Sequence, residues 1–344
     1  MDKNKIIGRW LLLGVAMLIV QVLLGGITRL TGSGLSITEW KPLLGALPPM
    51  NDGEWLIAFE KYKQIAQFKY LNQDFTLGDF KFIFFWEWFH RNWARLISVV
   101  FLIPFIYFLI KKMITKEMVP KLIGLFALGI SQGLIGWIMV ASGLNDENLY
   151  VSHIRLAIHF VSALVLICFT YWFALSLLIR DEDRIQNQSI RQWTMGIIVV
   201  LFFQLIYGAF MAGLKAATVA PTWPSINGDY LPSSLSTQSW INHPINIHFI
   251  HRGIAYLLIV LIVIWFVKAR KIVASTIWNR YKWIPILLVF IQVGLGITSV
   301  LFSTNIQRNS FGLFEWSAQL HQLVAMFLLM SLVWVLYMLR KKES

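Results

Sequence analysis

One cysteine, Cys168, stands in the whole chain. That excludes an internal disulfide and any centre built from several thiolates, iron–sulfur clusters included. Charge is also scarce. Asp, Glu, Lys and Arg make up 14% of the residues, where a soluble domain carries about 25%. Acids are the rarer sign, 17 against 30 bases. What fills the space is apolar: 57% of the 344 residues are hydrophobic, in long runs such as Trp10–Ile27 and Ala255–Val267. Runs of this length imply a polytopic membrane protein. They exclude a secreted enzyme, a disordered chain and, despite the net charge of +13, a nucleic-acid binder.

A span needs roughly 20 mostly apolar residues. Eight stretches qualify: 7–27, 83–110, 119–142, 153–179, 193–213, 246–267, 284–303 and 317–339. The first starts basic but has no small-residue cleavage site, and polar Gly-Gly-Ile-Thr-Arg follows. It is expected to be a retained helix, not a signal peptide. The basic, Ser-rich extension of a mitochondrial transit peptide is missing, which points to a bacterial inner membrane. An even number of spans puts both termini on one side. The termini and the even-numbered linkers hold 18 of the 30 Lys and Arg and six acids, a balance of +12. The rest of the chain carries +1. The positive-inside rule therefore makes both termini cytoplasmic. Two long loops, 28–81 and 214–245, fall outside. They are rich in Trp, Pro, Gly and Ser and are expected to form structured caps.

The chain also repeats. Gln21-Val-Leu-Leu-Gly25 resembles Gln204-Leu-Ile-Tyr-Gly208, and Trp40 corresponds to Trp223, both at an offset of 183. His90-Arg91 corresponds to His251-Arg252 at 161, and His159 to His321 at 162. Ser131-Gln-Gly-Leu-Ile-Gly136 resembles Ile291-Gln-Val-Gly-Leu-Gly296 at 160. Four spans per half keep the two repeats in the same orientation. The expected fold is an all-α membrane protein of eight transmembrane helices. It is arranged as two parallel, pseudo-repeated four-helix bundles, residues 1–180 and 181–344.

Four of the seven histidines obey that repeat: His90, His159, His251 and His321. His90 lies 21 residues before Lys111, which is about 30 Å of helix at 1.5 Å per residue. All four therefore sit near the outer edge of the hydrocarbon. Ionisable side chains within spans are costly and usually face the bundle interior. Two facing imidazoles on neighbouring helices suit the two axial positions of one haem iron. Two pairs give two haem sites, one per half. Zinc and copper want three or four clustered ligands and fit this pattern less well.

The halves differ beside the histidines. Glu87 precedes His90 by three residues; His248 precedes His251 by three. Spacing alone permits two readings of Glu87: a carboxylate beside the haem, or the i+4 partner of Arg91. Arg91 and Arg252 suit haem propionates at the watery edge, or snorkel to the interface. Gln132 and Gln292 either bond near the haems or join helices. His153 and His243 have no partner in the repeat and are expected to be interfacial. Asn145-Asp-Glu-Asn148 is expected to be a solvated acidic turn.

At this point the chain resembles the haem A synthase family. Gly25-Gly-Ile-Thr-Arg-Leu-Thr-Gly-Ser-Gly-Leu-Ser-Ile-Thr-Glu-Trp-Lys-Pro42 carries the likeness, as do Trp86-Glu-Trp-Phe-His-Arg91, Val151-Ser-His-Ile-Arg-Leu-Ala-Ile-His159 and Leu320-His-Gln322. It resembles the branch without a cysteine pair in an outer loop. The resemblance implies oxidation of a methyl group of haem O to a formyl group by successive hydroxylations, giving haem A for respiratory oxidases. It implies haem O on His90 and His159, and a haem b that passes electrons on His251 and His321. It implies a catalytic part for Glu87, in handling protons or stabilising positive charge. Implied partners are haem O synthase, terminal-oxidase assembly factors and a redox partner. A di-haem b electron carrier oxidising a quinol explains two bis-histidine haems equally well. It gives no reason for Glu87 in one half alone. A transporter is disfavoured because the ionisable residues crowd the outer rim instead of the midplane.

Overall fold

The computed structural model describes residues 2–39, 44–307 and 310–340. Trp40, Lys41 and Pro42 of the loop signature lie outside the described residues, as do Lys341, Lys342 and Glu343 of the charge count.

Helices α1 (Lys3–Leu30), α2 (Asp52–Tyr62), α3 (Ala66–Leu71), α4 (Leu77–Ile110), α5 (Val119–Ala141) and α6 (His153–Leu178) come first. They are followed by α7 (Gln188–Gly213), α8 (Ala216–Val219), α9 (Pro244–Ala269), α10 (Thr276–Tyr281), α11 (Ile284–Leu301) and α12 (Leu313–Met338). Among the described residues eight helical stretches are long and apolar enough to cross a membrane, α10 and α11 counting as one. Each coincides with a span expected from hydropathy. The helices commonly start earlier than the apolar run, because a polar cap sets the first turn. Asn187 caps α7 by accepting from Ile190 N–H at 3.0 Å. Thr76 and Asp79 form a reciprocal capping box on α4.

That box makes α4 34 residues long. At 1.5 Å per residue it is about 50 Å, well beyond the roughly 30 Å hydrocarbon thickness. Its first turns therefore stand clear of the bilayer and form the floor of a cap. Phe80, Ile83 and Phe84 pack there with Leu35, Phe59, Tyr62 and Ile65. Phe59 stacks on Phe80 at 5.0 Å between ring centres, and Trp55 meets Phe84 edge-on at 5.0 Å. Each such buried side chain contributes about 1.5–3 kcal/mol. The tyrosine hydroxyl of Tyr62 donates to Gln67 Oε1 at 2.9 Å and accepts from Asn72 Nδ2 at 2.7 Å. Burial pushes the Tyr62 phenol up to about 12, and the Glu87 charge adds to that, against the Asn72 hydrogen bond.

The turn at Asn145–Asn148 does more than meet water. The Asn145 carbonyl accepts from Ala66 N–H at 3.0 Å, and Asp146 pairs with Lys69 at 2.8 Å. Both contacts tie this turn to α3. The second outer loop is also structured. Ile226 and Asp229 pair across Asn227-Gly228, whose φ values of 53° and 100° suit a tight hairpin turn. Buried Asn246 fastens the same loop by bonding the Ser234 and Gln238 carbonyls at 3.0 and 3.1 Å.

Two compact units partition the chain. One comprises Ala16–Ala163 with Gln307–Phe311; it holds the first cap, His90 and His159. The other comprises Met1–Val15, Leu164–Ile306 and Gly312–Ser344, and holds His251 and His321. Within the second, α7 packs on α9 and α12, and α11 on α9 and α12. Buried Trp265 bonds Thr194 Oγ1 at 2.9 Å across the α7–α9 seam.

Candidate functional site

Each of the four repeat histidines leans on a glycine of the neighbouring helix. A Cβ at Gly25 would lie 3.2 Å from His90 Cε1, and one at Gly136 would lie 3.0 Å from His159 Cε1. The corresponding distances are 3.3 Å for Gly208 and His251, and 2.9 Å for Gly296 and His321. Any larger residue at these positions would push the imidazole away. Glycine is therefore what lets the rings seat so close to the next backbone.

Four residues before each glycine is a glutamine: Gln21, Gln132, Gln204 and Gln292. Residues four apart lie on one helix face, so glutamine and glycine together address the same imidazole. Gln21 Nε2 lies 3.3 Å from His90 Nδ1, 3.2 Å from its Nε2 and 3.2 Å from its carbonyl. Gln204 Nε2 reaches His251 Nε2 at 3.3 Å. Gln292 Nε2 reaches His321 Nε2 at 3.2 Å, and His321 Nδ1–H donates to the Gln292 carbonyl at 2.9 Å. That last bond puts the proton on Nδ1 and leaves the Nε2 lone pair to the Gln292 amide, which a metal ion on Nε2 would have to displace. Gln132 is the exception. Neither of its amide atoms has a partner, and both are buried; His159 Nδ1 is likewise buried and unpartnered.

The structure brings the histidines together in pairs. His90 and His159 lie within electrostatic reach of each other, as do His251 and His321. The rings of His251 and His321 have centres 6.4 Å apart. Two imidazoles on opposite sides of one metal ion sit roughly 6–6.5 Å apart when metal–nitrogen bonds are about 2 Å. The separation of His251 and His321 would suit two nitrogens held to one iron.

Glu87 is 3% exposed and fully engaged. Oε2 accepts from Ser36 Oγ at 2.7 Å and from Ile37 N–H at 2.8 Å. Oε1 accepts from Arg91 Nη2 at 2.6 Å. The i+4 pairing with Arg91 is therefore present, and the carboxylate also pins the outer loop to α4. His248 occupies the equivalent position on α9. It is fully buried, and neither ring nitrogen has a partner.

Arg91 and Arg252 face outer-loop carbonyls. Arg91 donates to Ile37 O at 3.2 Å and Glu39 O at 3.4 Å. Arg252 donates to Thr222 O at 2.5 Å, Ser225 O at 3.1 Å and Pro224 O at 3.2 Å. Each guanidinium ties its loop to the helix that carries the neighbouring histidine. His153 begins α6 and His243 precedes α9. Sequence reasoning treated Gln21 and Gln204 only as markers of the repeat. The signal that links them to the site is the Gln-x-x-x-Gly spacing, which recurs at all four glycine–histidine contacts.

The whole chain has known relatives. Residues 8–333 match the COX15-CtaA family model, described as cytochrome oxidase assembly protein. A Flavobacterium johnsoniae protein named heme A synthase is 37% identical, over 98% of this chain and 99% of its own length. A heme A synthase of Rhodospirillum centenum is 38% identical, over 99% and 90%. One of Parvibaculum lavamentivorans is 40% identical, over 88% of each chain. With eight apolar helices, two histidine pairs and a match from end to end, this chain belongs to the COX15-CtaA family of cytochrome oxidase assembly proteins.

Proposed function

We propose that the protein is a haem A synthase, oxidising a methyl group of haem O to a formyl group for use in respiratory terminal oxidases. The observation that carries this reading is an asymmetry. Both units pair two imidazoles, but a buried carboxylate stands one helical turn from the histidine only in the pair with Glu87. An electron carrier needs two similar sites; an enzyme with one substrate haem and one cofactor haem needs two different ones.

In this reading His90 and His159 hold haem O, and His251 and His321 hold a haem b that passes electrons. When bound, the haems supply the redox chemistry. The protein's residues orient and enclose them. Gly25, Gly136, Gly208 and Gly296 set how closely each imidazole seats against the next helix. Arg91 and Arg252 hold the outer loops in place, with the propionates at the same watery edge. Glu87 places a fixed carboxylate beside the reacting haem, to take a proton or to stabilise positive charge at the oxidised carbon. The two halves act as parallel four-helix repeats, 1–180 and 181–344. The protein sits in a bacterial inner membrane with both termini cytoplasmic and the haem sites toward the outer face. Haem O synthase and oxidase assembly factors are the fitting partners.

The test is haem extraction and chromatography from protein made in cells that also make haem O. Wild type should yield haem A or its hydroxylated precursor. Glu87→Ala should retain haem but lose at least about 100-fold in product, in the range of general acid–base contributions. Glu87→Gln, whose amide oxygen can still accept from Ser36 and Ile37 although its NH2 cannot accept from Arg91, should lose nearly as much. Haem b alone in wild type, despite ample haem O, would favour the electron carrier.

A further inference from the structure

Glu87 and His248 hold the same place in the repeat, 161 residues apart, yet only Glu87 is satisfied. It accepts from the Ser36 hydroxyl and the Ile37 N–H of its loop, and from Arg91. His248 is fully buried, and neither ring nitrogen has a hydrogen-bond partner among the described residues. The two loops nevertheless keep one register. Arg91 donates to the Glu39 carbonyl, and Arg252 to the Thr222 carbonyl 183 residues on. At that offset Val219 stands where Ser36 does, and Ala220 where Ile37 does. Val219 brings no hydroxyl, so His248 is not a second loop anchor. A neutral imidazole carries one N–H donor and one acceptor. Leaving both unpaired in a dry interior is costly and calls for a partner. His248 precedes His251 by three residues, so the two share a helix face. At 1.5 Å per residue it stands about 4.5 Å nearer the start of α9, within electrostatic reach of His251 and Arg252. That end of α9 meets the loop that Arg252 holds.

We infer that the His248 imidazole donates a hydrogen bond to a propionate carboxylate of the haem in its unit, and so positions that haem and sets its reduction potential. The inference rests on the reading that His251 and His321 ligate a haem. The rim of a haem b is apolar apart from its two propionates, so a carboxylate is the acceptor that such a group offers a buried N–H. Glu87 cannot take this part in the other unit, because an ionised carboxylate only accepts. The repeat therefore places an acceptor in one half and a donor in the other. A donor at the propionate offsets negative charge near the iron. That favours the reduced state and raises the potential, as hydrogen bonding and burial around a redox centre do.

The test uses the purified, haem-loaded protein at about pH 8, above the ordinary carboxylate range. Its haems are titrated potentiometrically and followed optically. The component that His251→Ala removes is the haem of this unit. Infrared difference spectra are recorded on the same protein with haem isotope-labelled at the propionate carboxyls. His248→Leu should keep the low-spin spectrum and shift the propionate band. It should also lower the potential by about 59 mV, a tenfold change in a one-electron equilibrium. His248→Gln, which keeps an N–H donor, should restore both values. Should His248→Leu not fold or load, His248→Phe keeps a planar ring without nitrogens and should give the same two shifts. An unmoved band in the apolar variant overturns the contact. A moved band with an unchanged or raised potential overturns the control of potential. Equal shifts in His248→Leu and His248→Gln mean that the ring only packs, which also overturns the inference. Loss of the low-spin spectrum in both makes His248 an axial ligand and overturns it too. If His251→Ala removes no haem, the underlying ligand assignment fails as well.

Discussion

Glycine and glutamine decide where each of the four repeat histidines points. An added methyl group at Gly296 would lie 2.9 Å from His321 Cε1, closer than carbon atoms tolerate. Two residues earlier on the same helix, Gly294 has nothing within 4 Å of such a methyl. Gly296→Ala should therefore displace His321 and cut retention of the cofactor haem by about tenfold or more. Gly294→Ala should leave it unchanged. Haem content and the low-spin spectrum of the two purified variants check this. Equal haem retention would mean that close glycine packing does not position the ligand. The histidines themselves were legible in the sequence, through their spacing in the repeat. Their anchors were only half legible. Gln21 and Gln132 look like separate motifs until each is seen to stand four residues from the glycine under a histidine.

At the scale of elements, the long α4 does two jobs in one helix. Its inner part crosses the membrane, and its outer turns form the floor of an aromatic cap. Hydropathy showed the first job because it averages over consecutive residues. The second depends on Phe59, Tyr62 and Phe80 meeting through space, which no local window reports. Tyr62 ties the cap's stability to pH. Its folded pKa is raised to about 12, above the usual value of about 10. The folded cap therefore binds this proton more tightly than the unfolded chain does. The stabilisation is complete below about pH 10 and is lost as pH rises toward about 12. Protease sensitivity of residues 44–75 should increase across that window, and Tyr62→Phe should abolish the dependence. An identical profile in the variant would place the effect elsewhere.

At the scale of the whole molecule, charge distribution sets orientation. The orientation proposed from its asymmetry, +12 against +1, predicts Lys116 on the cytoplasmic side and Tyr230 outside. Both are exposed in the structure. With Cys168 replaced by Ala, Tyr230→Cys should react with a membrane-impermeant maleimide in intact spheroplasts. Lys116→Cys should react only after permeabilisation. The reverse pattern would invert the topology and move both histidine pairs to the cytoplasmic face.

The sequence by itself determined the number of spans, the repeat spacing of four histidines and the family. These properties are sums over neighbouring residues or fixed spacings along one helix, so they survive without coordinates. Only the tertiary structure decided that Glu87 anchors the Ser36–Ile37 loop and that both arginines hold loop carbonyls. It also decided that His159 alone escapes its glutamine. A hydrogen bond is short and directional, and its partners here lie 4 to 69 residues apart in sequence. Helix rotation and loop path choose between them, and neither is written in any single stretch of the chain.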